Sequence, residues 1–270
     1  MHFSPLDLVL GLIFSGVVAW VAFRKNSLAL SGFYAATILG GLIYLFKPIY
    51  WVIMIIFFIS SSLLSKFKRQ AKVEVEQDFA KDGRRDWLQV IANGVIGLAF
   101  AIAYGLSGDH LFTIGYIASF ATVNADTWAT EIGVLSSRPP VSILTFKPVT
   151  PGVSGAVSLL GTSAALAGAA LIVAISCLGL VSVPDINLLM VVLAGTLGGI
   201  AGCLTDSILG ATVQAMYRCQ TCGKITERKI HHNQPTQLVR GWKYFHNDLV
   251  NLTSALVGGL LAMGIYLLWA

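Results

Sequence analysis

Long apolar segments separated by short polar ones run through the chain from end to end. Each segment is long enough to cross a hydrocarbon core of about 30 Å as an α-helix, which takes about 20 residues. We therefore expect an all-α fold, a polytopic transmembrane helical bundle of about eight spans. The pattern predicts spans at 5–23, 27–46, 48–65, 87–106, 110–135, 153–180, 186–214 and 246–268.

The composition supports a membrane protein. Charged residues make up only 11% of the chain, whereas soluble domains carry about 25%. Many of the 27 glycines lie inside the apolar segments, where small residues allow close helix packing. Arg24 and Lys25 follow the first apolar segment where a signal-peptide cleavage site would lie, so that segment is expected to be retained as a span.

The basic residues indicate an orientation. All of them except Lys47 lie in the loops after spans one, three, five and seven. Lys and Arg are enriched in cytosolic loops, so these four loops are expected in the cytosol and both termini on the non-cytosolic side. This bias accounts for the net charge of +5, and no nucleic-acid partner is expected.

Three regions follow from these boundaries. Residues 1–65 form the N-terminal transmembrane helices, and residues 66–86 form a cytosolic basic loop. The acidic residues within that loop indicate a charged surface connector or a short amphipathic helix. Residues 87–270 form a transmembrane core that carries a polar site and a cytosolic loop at 215–245.

Polar residues recur near the predicted cytosolic ends of four spans. Intramembrane carboxylates are energetically expensive, and several at similar depth repel one another unless a cation or protons lie among them. The alternative for each polar group is a hydrogen bond that only holds the bundle together. The carboxylates are Asp126, Glu131, Asp206 and Asp248, and the accompanying amides are Asn93, Asn124, Asn247 and Asn251.

These carboxylates predict a Mg²⁺ site, because hard oxygen ligands favour Mg²⁺, which normally binds together with phosphate. Asp126 is followed on its own helix face by small residues, and Asp206 lies in a stripe of glycines. We predict these two as the Mg²⁺ ligands, with Glu131 and Asp248 as alternatives. The asparagines are expected to orient ligands or the carboxylates.

A Pro/Gly-rich stretch between spans five and six is a candidate phosphate site. Backbone N–H groups at a helix N-terminus can bind an anion, although Ser154 as an ordinary helix N-cap explains the stretch equally well. The stretch is not a Walker A motif. The candidate phosphate-binding residues are Arg84, Arg85, Lys147, Gly152, Ser154 and Gly155.

A second metal site is suggested by a polar loop. Cys219 and Cys222 form a Cys-x-x-Cys pair, and His231 and His232 follow it. Such residues can bind a structural Zn²⁺ ion. The alternative is a pair of free thiols, since a disulfide is disfavoured in a reducing cytosol.

Taken in order, these motifs resemble a family of integral membrane proteins long described as uncharacterised. The family includes transmembrane protein nineteen and the plant and cyanobacterial phytyl-phosphate kinases of tocopherol synthesis. The resemblance covers most of the chain from Gly83 onward. The motifs that carry it are Gly83-Arg84-Arg85 with Gln89 and Asn93-Gly94, the ten residues 124–133, Pro151-Gly152-Val153-Ser154-Gly155, and Asn247-Asp248-Leu249-Val250-Asn251.

A looser likeness extends to the CTP-dependent polyprenol and phytol kinases and the CDP-diacylglycerol synthases. Those enzymes place an Asp-x-x-Ala-x-x-x-Gly stretch before a Lys and a Pro/Gly-rich turn. The Gly-Arg that commonly ends their first motif is absent here. The matching positions are Asp126, Ala129, Gly133, Lys147, Gly152 and Gly155.

The resemblance implies phosphoryl transfer from CTP or another nucleoside triphosphate to a prenyl monophosphate such as phytyl phosphate, giving the diphosphate. It implies Mg²⁺ as cofactor, and a nucleotide, a lipid phosphate and membrane lipids as partners. The protein is then expected in the cell membrane or thylakoid membrane, with its polar site facing the cytosol. The residues do not separate a kinase from a cytidylyltransferase. An ion-coupled transporter or lipid flippase is the second hypothesis, and a non-enzymatic membrane scaffold is the third.

Overall fold

The computed structural model describes residues 4–68, 70, 72, 83–184 and 186–269, and it shows a bundle of long α-helices. Ser4 caps the first helix, and Asp86 and Gln89 form a reciprocal capping box at the start of the fourth. The helices found in this part of the chain are α1 (Pro5–Arg24), α2 (Leu30–Phe46), α3 (Pro48–Lys66), α4 (Trp87–Ser107), α5 (Leu111–Gly133), α6 (Leu159–Leu180), α7 (Leu188–Thr212) and α8 (Asn247–Trp269).

Six of these helices are long and apolar enough to cross a membrane: α1, α3, α4, α6, α7 and α8. Helix α2 is apolar but has only 17 residues. The predicted all-α helical membrane fold is confirmed, and the predicted segments match the helices within a few residues, except at the start of the sixth. The number of spans, the membrane orientation and the position of the termini stay predictions.

The predicted start of the sixth span at residue 153 is wrong. Helix α6 begins at Leu159, and its N-cap is Ser158, whose Oγ accepts a hydrogen bond from the Gly161 amide at 3.0 Å. The residues before it turn back on the chain, and Ala156–Val157 pairs as a short strand. Ser154 is therefore not the helix cap.

Helix α5 lies at the centre of the bundle, in contact with α3, α4, α6, α7 and α8. Every residue from Thr113 to Ala125 is buried. A helix enclosed by protein can carry polar side chains that a lipid-facing helix could not. This position explains why α5 has 23 residues yet is less apolar than the other long helices.

Glycines on α7 let it pack closely against its neighbours. A Cβ atom at Gly198 would lie 2.6 Å from the Cβ of Ala262 and 2.7 Å from the carbonyl oxygen of Gly258. A Cβ atom at Gly199 would lie 2.8 Å from that of Ala121. The stripe thus brings the backbones of α7, α8 and α5 together, as small residues do in membrane bundles.

Gly198→Ala is expected to destabilise the protein by about 1–3 kcal/mol, because the added methyl group meets the backbone of α8, which cannot move aside cheaply. The measurement is thermal unfolding in detergent. Gly264→Ala on α8 is the matched control, because a Cβ atom there has no heavy atom within 4 Å. Equal melting temperatures for the two variants would contradict close α7–α8 packing.

Four connections gather at one end of the bundle. The α1–α2 and α3–α4 connections are joined through Arg85, whose amide donates to the Ser27 carbonyl at 3.1 Å and whose carbonyl accepts from the Ala29 amide at 3.0 Å. The basic loop predicted at 66–86, as a charged surface connector or a short amphipathic helix, lies largely outside the described residues, since 69, 71 and 73–82 are not among them.

The other two connections contain short strands. Between α5 and α6, β1 (Val141–Ser142) pairs antiparallel with β2 (Ala156–Val157). The strands between α7 and α8 are β3 (Met216–Arg218), β4 (Ile225–Thr226), β5 (Ile230–His231), β6 (Gln234–Pro235) and β7 (Gln237–Arg240). Three of them form a sheet in the order β4-β3-β7, and β5 and β6 form a hairpin.

Candidate functional site

A polar cavity of about 1420 Å³ opens at the end of the bundle where these four connections meet. Its walls come from α3, α4, α5, α6, α7 and α8 and from all four connections. Twelve of the residues predicted from the sequence line it: Arg84, Arg85, Asn93, Asp126, Glu131, Gly152, Ser154, Gly155, Asp206, Asn247, Asp248 and Asn251. Lys147 and Asn124 do not line it.

Asp126 and Asp206 are the central pair of carboxylates. Helices α5 and α7 pack directly on each other, and the two side chains are close enough to repel each other electrostatically. Both are half-buried in the cavity wall. Asp206 Oδ2 accepts a hydrogen bond from Ser254 Oγ at 3.2 Å. Such a pair can hold a divalent cation, which would remove the repulsion between them.

Glu131 is held by an ion pair. Its Oε2 lies 2.6 Å from Lys72 Nζ, and its Oε1 accepts a hydrogen bond from Ser65 Oγ. Lys72 is only 2% exposed and also donates to the Leu64 carbonyl at 2.8 Å. The carboxylate is therefore neutralised by the protein itself, which weakens the case for Glu131 as a cation ligand.

Asp248 lies in the first turn of α8 and is buried. Its Oδ2 is 3.4 Å from His246 Nδ1. A carboxylate at this position interacts favourably with the positive end of the helix dipole. Asp248 therefore contributes to the start of α8 as well as to the cavity wall.

The four asparagines divide into two groups. Asn251 Nδ2 donates to Asn93 Oδ1 at 3.3 Å, joining α8 to α4 at the cavity wall, and Asn247 begins α8 beside them. Asn124 is fully buried instead: Ser60 Oγ donates to its Oδ1 at 2.9 Å, and its Nδ2 donates to the Gly168 carbonyl at 2.7 Å. Asn124 thus connects α3, α5 and α6, away from the cavity.

The two arginines differ in depth. Arg84 is exposed at the cavity rim, whereas Arg85 is half-buried. The Arg85 guanidinium lies 5.8 Å and 5.6 Å from the ring centroids of Phe57 and Phe58. Burial lowers the pKa of Arg85, and the negative charge of Glu131 opposes this shift. Because a guanidinium stays protonated in proteins, Arg85 brings a half-buried positive charge to the cavity.

The Pro/Gly-rich stretch lines the cavity as a turn. Gly155 has φ +85, a backbone conformation that favours glycine. A Cβ atom there would also lie 2.8 Å from the backbone nitrogen of Ala211 at the end of α7. Only glycine suits both the positive φ and this close approach. Ser154 Oγ donates to Glu227 Oε1 at 3.0 Å. Lys147 is exposed in the loop between β1 and β2. The structure therefore does not bring Lys147 to the cavity.

Several of the polar cavity residues that were not predicted come from the α7–α8 connection: Gln214, Glu227, Arg228, Lys229, Lys243 and His246. Glu227 Oε1 also accepts from Gln214 Nε2 at 2.8 Å, and its charge acts on Asp206. Glu227 is the single acidic residue of the 215–245 loop, which is the signal that could have found it.

Arg240 fixes this connection to the bundle. Its Nη2 donates to the Gly210 carbonyl at 2.7 Å, near the C-terminal end of α7, where helix carbonyls lack partners. Burial lowers the pKa of Arg240, yet the guanidinium keeps its charge, which suits the negative end of a helix dipole.

The four predicted zinc ligands do converge: the ligand atoms of Cys219, Cys222, His231 and His232 all lie within 4.8 Å of one another. Cys222 Sγ is 3.7 Å from His231 Nδ1. The backbone N–H of Cys222, and then His231, lower the pKa of the Cys219 thiol to about 6. Two thiols and two imidazoles are a ligand set that suits tetrahedral Zn²⁺.

Local backbone geometry explains how adjacent histidines can both point into one cluster. His232 and Asn233 have φ +52 and +58 and form the two-residue turn between β5 and β6. Two successive positive φ values are typical of a type I′ hairpin turn. Because this turn changes the direction of the chain after His231, both imidazoles can face the cysteines.

Comparisons with known proteins support one family. The chain is 31% identical to Protein PGR of Arabidopsis thaliana, over 97% of this chain and 97% of that protein. An uncharacterised membrane protein of Methanocaldococcus jannaschii is 32% identical, over 93% of this chain and 90% of its own length. Protein VTE6, chloroplastic, of Arabidopsis thaliana is 27% identical, over 88% of this chain and 65% of that protein. No solved structure matches the chain significantly.

The family model described as integral membrane protein DUF92 matches residues 13–259, nearly the whole bundle and all four cavity-lining connections. This match and the near full-length likeness to Protein PGR agree. The chain is therefore a multi-pass membrane protein that belongs to the integral membrane protein family DUF92.

Proposed function

We propose that the protein is a membrane kinase that transfers a phosphoryl group from CTP, or another nucleoside triphosphate, to a prenyl monophosphate such as phytyl phosphate. The product is the prenyl diphosphate. The observation that carries this proposal is the pair of carboxylates, Asp126 and Asp206, in a large cavity whose rim and wall also carry Arg84 and Arg85.

The carboxylate pair fits Mg²⁺. The two groups come from packed helices, repel each other and border an open cavity, which are the conditions that favour a hard divalent cation. Bound Mg²⁺ would neutralise the nucleotide phosphates and offset charge that develops during transfer. Asp126 and Asp206 are its ligands in this proposal, and Ser254 orients Asp206 through its hydrogen bond.

Positive groups around the cavity suit the phosphates of two substrates. Arg84 and Arg85 lie on the α3–α4 side, and Arg228 and Lys229 lie on the α7–α8 side. Phosphoryl transfer depends mainly on positioning and on charge stabilisation. The acceptor phosphate is ionised at neutral pH, so the reaction needs no strong general base. His246 therefore has no role as a general base in this proposal.

An apolar pocket beside the polar cavity marks where the tail of a lipid acceptor would begin. It has a volume of about 50 Å³, lies among α1, α2, α3 and α4, and shares Arg85, Gln89 and Asn93 with the large cavity. A prenyl phosphate combines an apolar tail with a charged head, so the shared wall would separate the two parts. The phosphate would lie at Arg85 and the tail would extend among the helices.

The transporter alternative requires a polar route to the opposite end of the bundle. Residues Thr113–Ala125 of the central helix are buried throughout, so this stretch borders no open channel. The polar groups that line the large cavity lie at one end of the bundle. These features favour an enzyme with a one-sided site over an ion-coupled transporter or flippase.

The proposal is tested by incubating the purified protein with phytyl phosphate, Mg²⁺ and either CTP or ATP, followed by mass spectrometry of the lipid. Phytyl diphosphate formed in a Mg²⁺-dependent way is the expected product. A lipid that carries a whole CMP would assign the protein to the cytidylyltransferases instead. No conversion across a panel of prenyl phosphates and nucleotides, by protein shown to be folded, would overturn the proposal.

A further inference from the structure

The four-residue Cys/His cluster joins two separate parts of the α7–α8 connection. Cys219 and Cys222 belong to the turn between β3 and β4, where the Cys219 amide donates to the Lys224 carbonyl and the Gly223 amide donates to the Cys219 carbonyl, both at 2.9 Å. His231 and His232 belong to the β5–β6 hairpin. A metal ion bound to all four would therefore link the sheet to the hairpin.

The chain between the two ligand pairs carries charged residues to the cavity. Glu227, Arg228 and Lys229 lie between β4 and β5, and all three line the cavity wall. The two flanking strands have only two residues each. Thr236 adds hydrogen bonds to the Arg228 and Lys229 carbonyls at 2.7 Å and 3.0 Å. Thr236, which follows the β5–β6 hairpin, thus holds this three-residue segment through two carbonyls.

We propose that Cys219, Cys222, His231 and His232 bind one Zn²⁺ ion and that this ion holds Glu227, Arg228 and Lys229 in the cavity wall. Two thiolates and two imidazoles select Zn²⁺ over Mg²⁺, which prefers oxygen ligands. The ligand atoms, within 4.8 Å of one another, need only a small contraction to reach a tetrahedral site with metal–ligand distances of about 2.0–2.3 Å.

The bound ion has a defined consequence for Glu227. Closing the segment between Cys222 and His231 restricts the conformations in which Glu227 could leave its hydrogen bonds to Ser154 and Gln214. Glu227 in turn contributes negative charge beside Asp206. Zinc therefore acts here as a positioning element for the wall next to the carboxylate pair, separate from the Mg²⁺ site.

The zinc content of the purified protein tests whether the Cys/His cluster binds one Zn²⁺ ion. The full chain, purified in detergent without chelators, is expected to contain about one zinc ion by plasma mass spectrometry, and Cys222→Ser is expected to contain almost none. Cys177→Ser is the matched control, since Cys177 lies in α6 outside the cluster. Cobalt substitution should give thiolate-to-cobalt charge-transfer bands in the wild type that are lost in Cys222→Ser. A metal-free wild type with both thiols reduced would overturn the proposal.

Amide hydrogen exchange tests whether the zinc ion holds residues 227–229 in the cavity wall. In Cys222→Ser we expect exchange to increase at 225–230 and to stay unchanged in α5, because Cys222 is exposed and the bundle does not depend on it. Unchanged exchange at 225–230 in zinc-depleted protein would refute the positioning role.

One further outcome rests on the proposed function, in which Arg228 and Lys229 contact substrate phosphates: the KM for at least one phosphate substrate should rise in Cys222→Ser, with a smaller change in kcat. Unchanged KM values for both substrates would refute the link between the zinc ion and substrate binding. Zinc content and hydrogen exchange need no activity, so zinc-bound, ordered protein that transfers no phosphoryl group would refute the kinase and leave the zinc site standing.

Discussion

Asp126→Asn is expected to lower the turnover of prenyl phosphate at least about 100-fold, the scale seen when a group that stabilises transition-state charge is removed. The substitution keeps the shape of the side chain and removes one negative charge from the pair with Asp206. A weaker cation site leaves the phosphate charges uncompensated during transfer. The measurement is kcat with saturating lipid phosphate and nucleotide, together with the Mg²⁺ concentration that gives half-maximal rate.

Asp109→Asn is the matched control, because Asp109 is exposed at the start of α5, at the opposite end of the bundle from the cavity. It accepts a hydrogen bond from the Leu111 amide that asparagine can also accept. We expect normal turnover in this variant. If Asp126→Asn failed to accumulate as folded protein, Asp126 would be a structural residue and the proposed role would be wrong.

Glu131→Gln is expected to cost about 3–5 kcal/mol of folding stability, because it leaves the Lys72 ammonium buried without its counter-charge. Lys72 Nζ lies 2.6 Å from Glu131 Oε2 and is almost fully enclosed. The measurement is the midpoint temperature of thermal unfolding in detergent, with unfolding detected as the loss of monodisperse protein. Lys72→Met alone is expected to lower the midpoint as well, since Glu131 then loses its partner.

The double variant Lys72→Met, Glu131→Gln separates the charge effect from lost packing. Replacing both members of a buried ion pair with neutral side chains of similar size is often nearly neutral, so the double variant should regain most of the lost stability. A double variant as unstable as the sum of the single changes would show that the ion pair is not the cause.

The helices could be predicted from the sequence because apolar length and loop charge are local properties. The start of α6 could not, because Pro151, Gly152 and Gly155 suit a turn before a strand as well as a turn before a helix. The outcome depends on contacts with Ala211, which is distant in sequence. Short strands of two residues also leave no periodic signal.

The site was predicted only in part, because helical spacing is a local property and loop positions are not. Helical spacing indicated that Asp126 and Asp206 face inward, and the structure has both at one cavity. The same spacing could not separate Asn124, which bonds to α3 and α6, from Asn93 and Asn251, which border the cavity. Glu227 was missed because the position of a loop residue depends on tertiary contacts with Ser154 and Gln214.

The enclosed position of α5 has a consequence for how the protein is made. A carboxylate at the centre of an inserting helix costs about 2.5–3.5 kcal/mol. Helix α5 carries Asp126 in its C-terminal half and Glu131 in its last turn, so each costs less than that, but both make the helix less hydrophobic. Inserted by itself, α5 would move from the translocation channel into the lipid bilayer less readily than α4 or α6. Its stable integration is therefore expected to await synthesis of α6, α7 and α8, so that the bundle assembles around its least hydrophobic member.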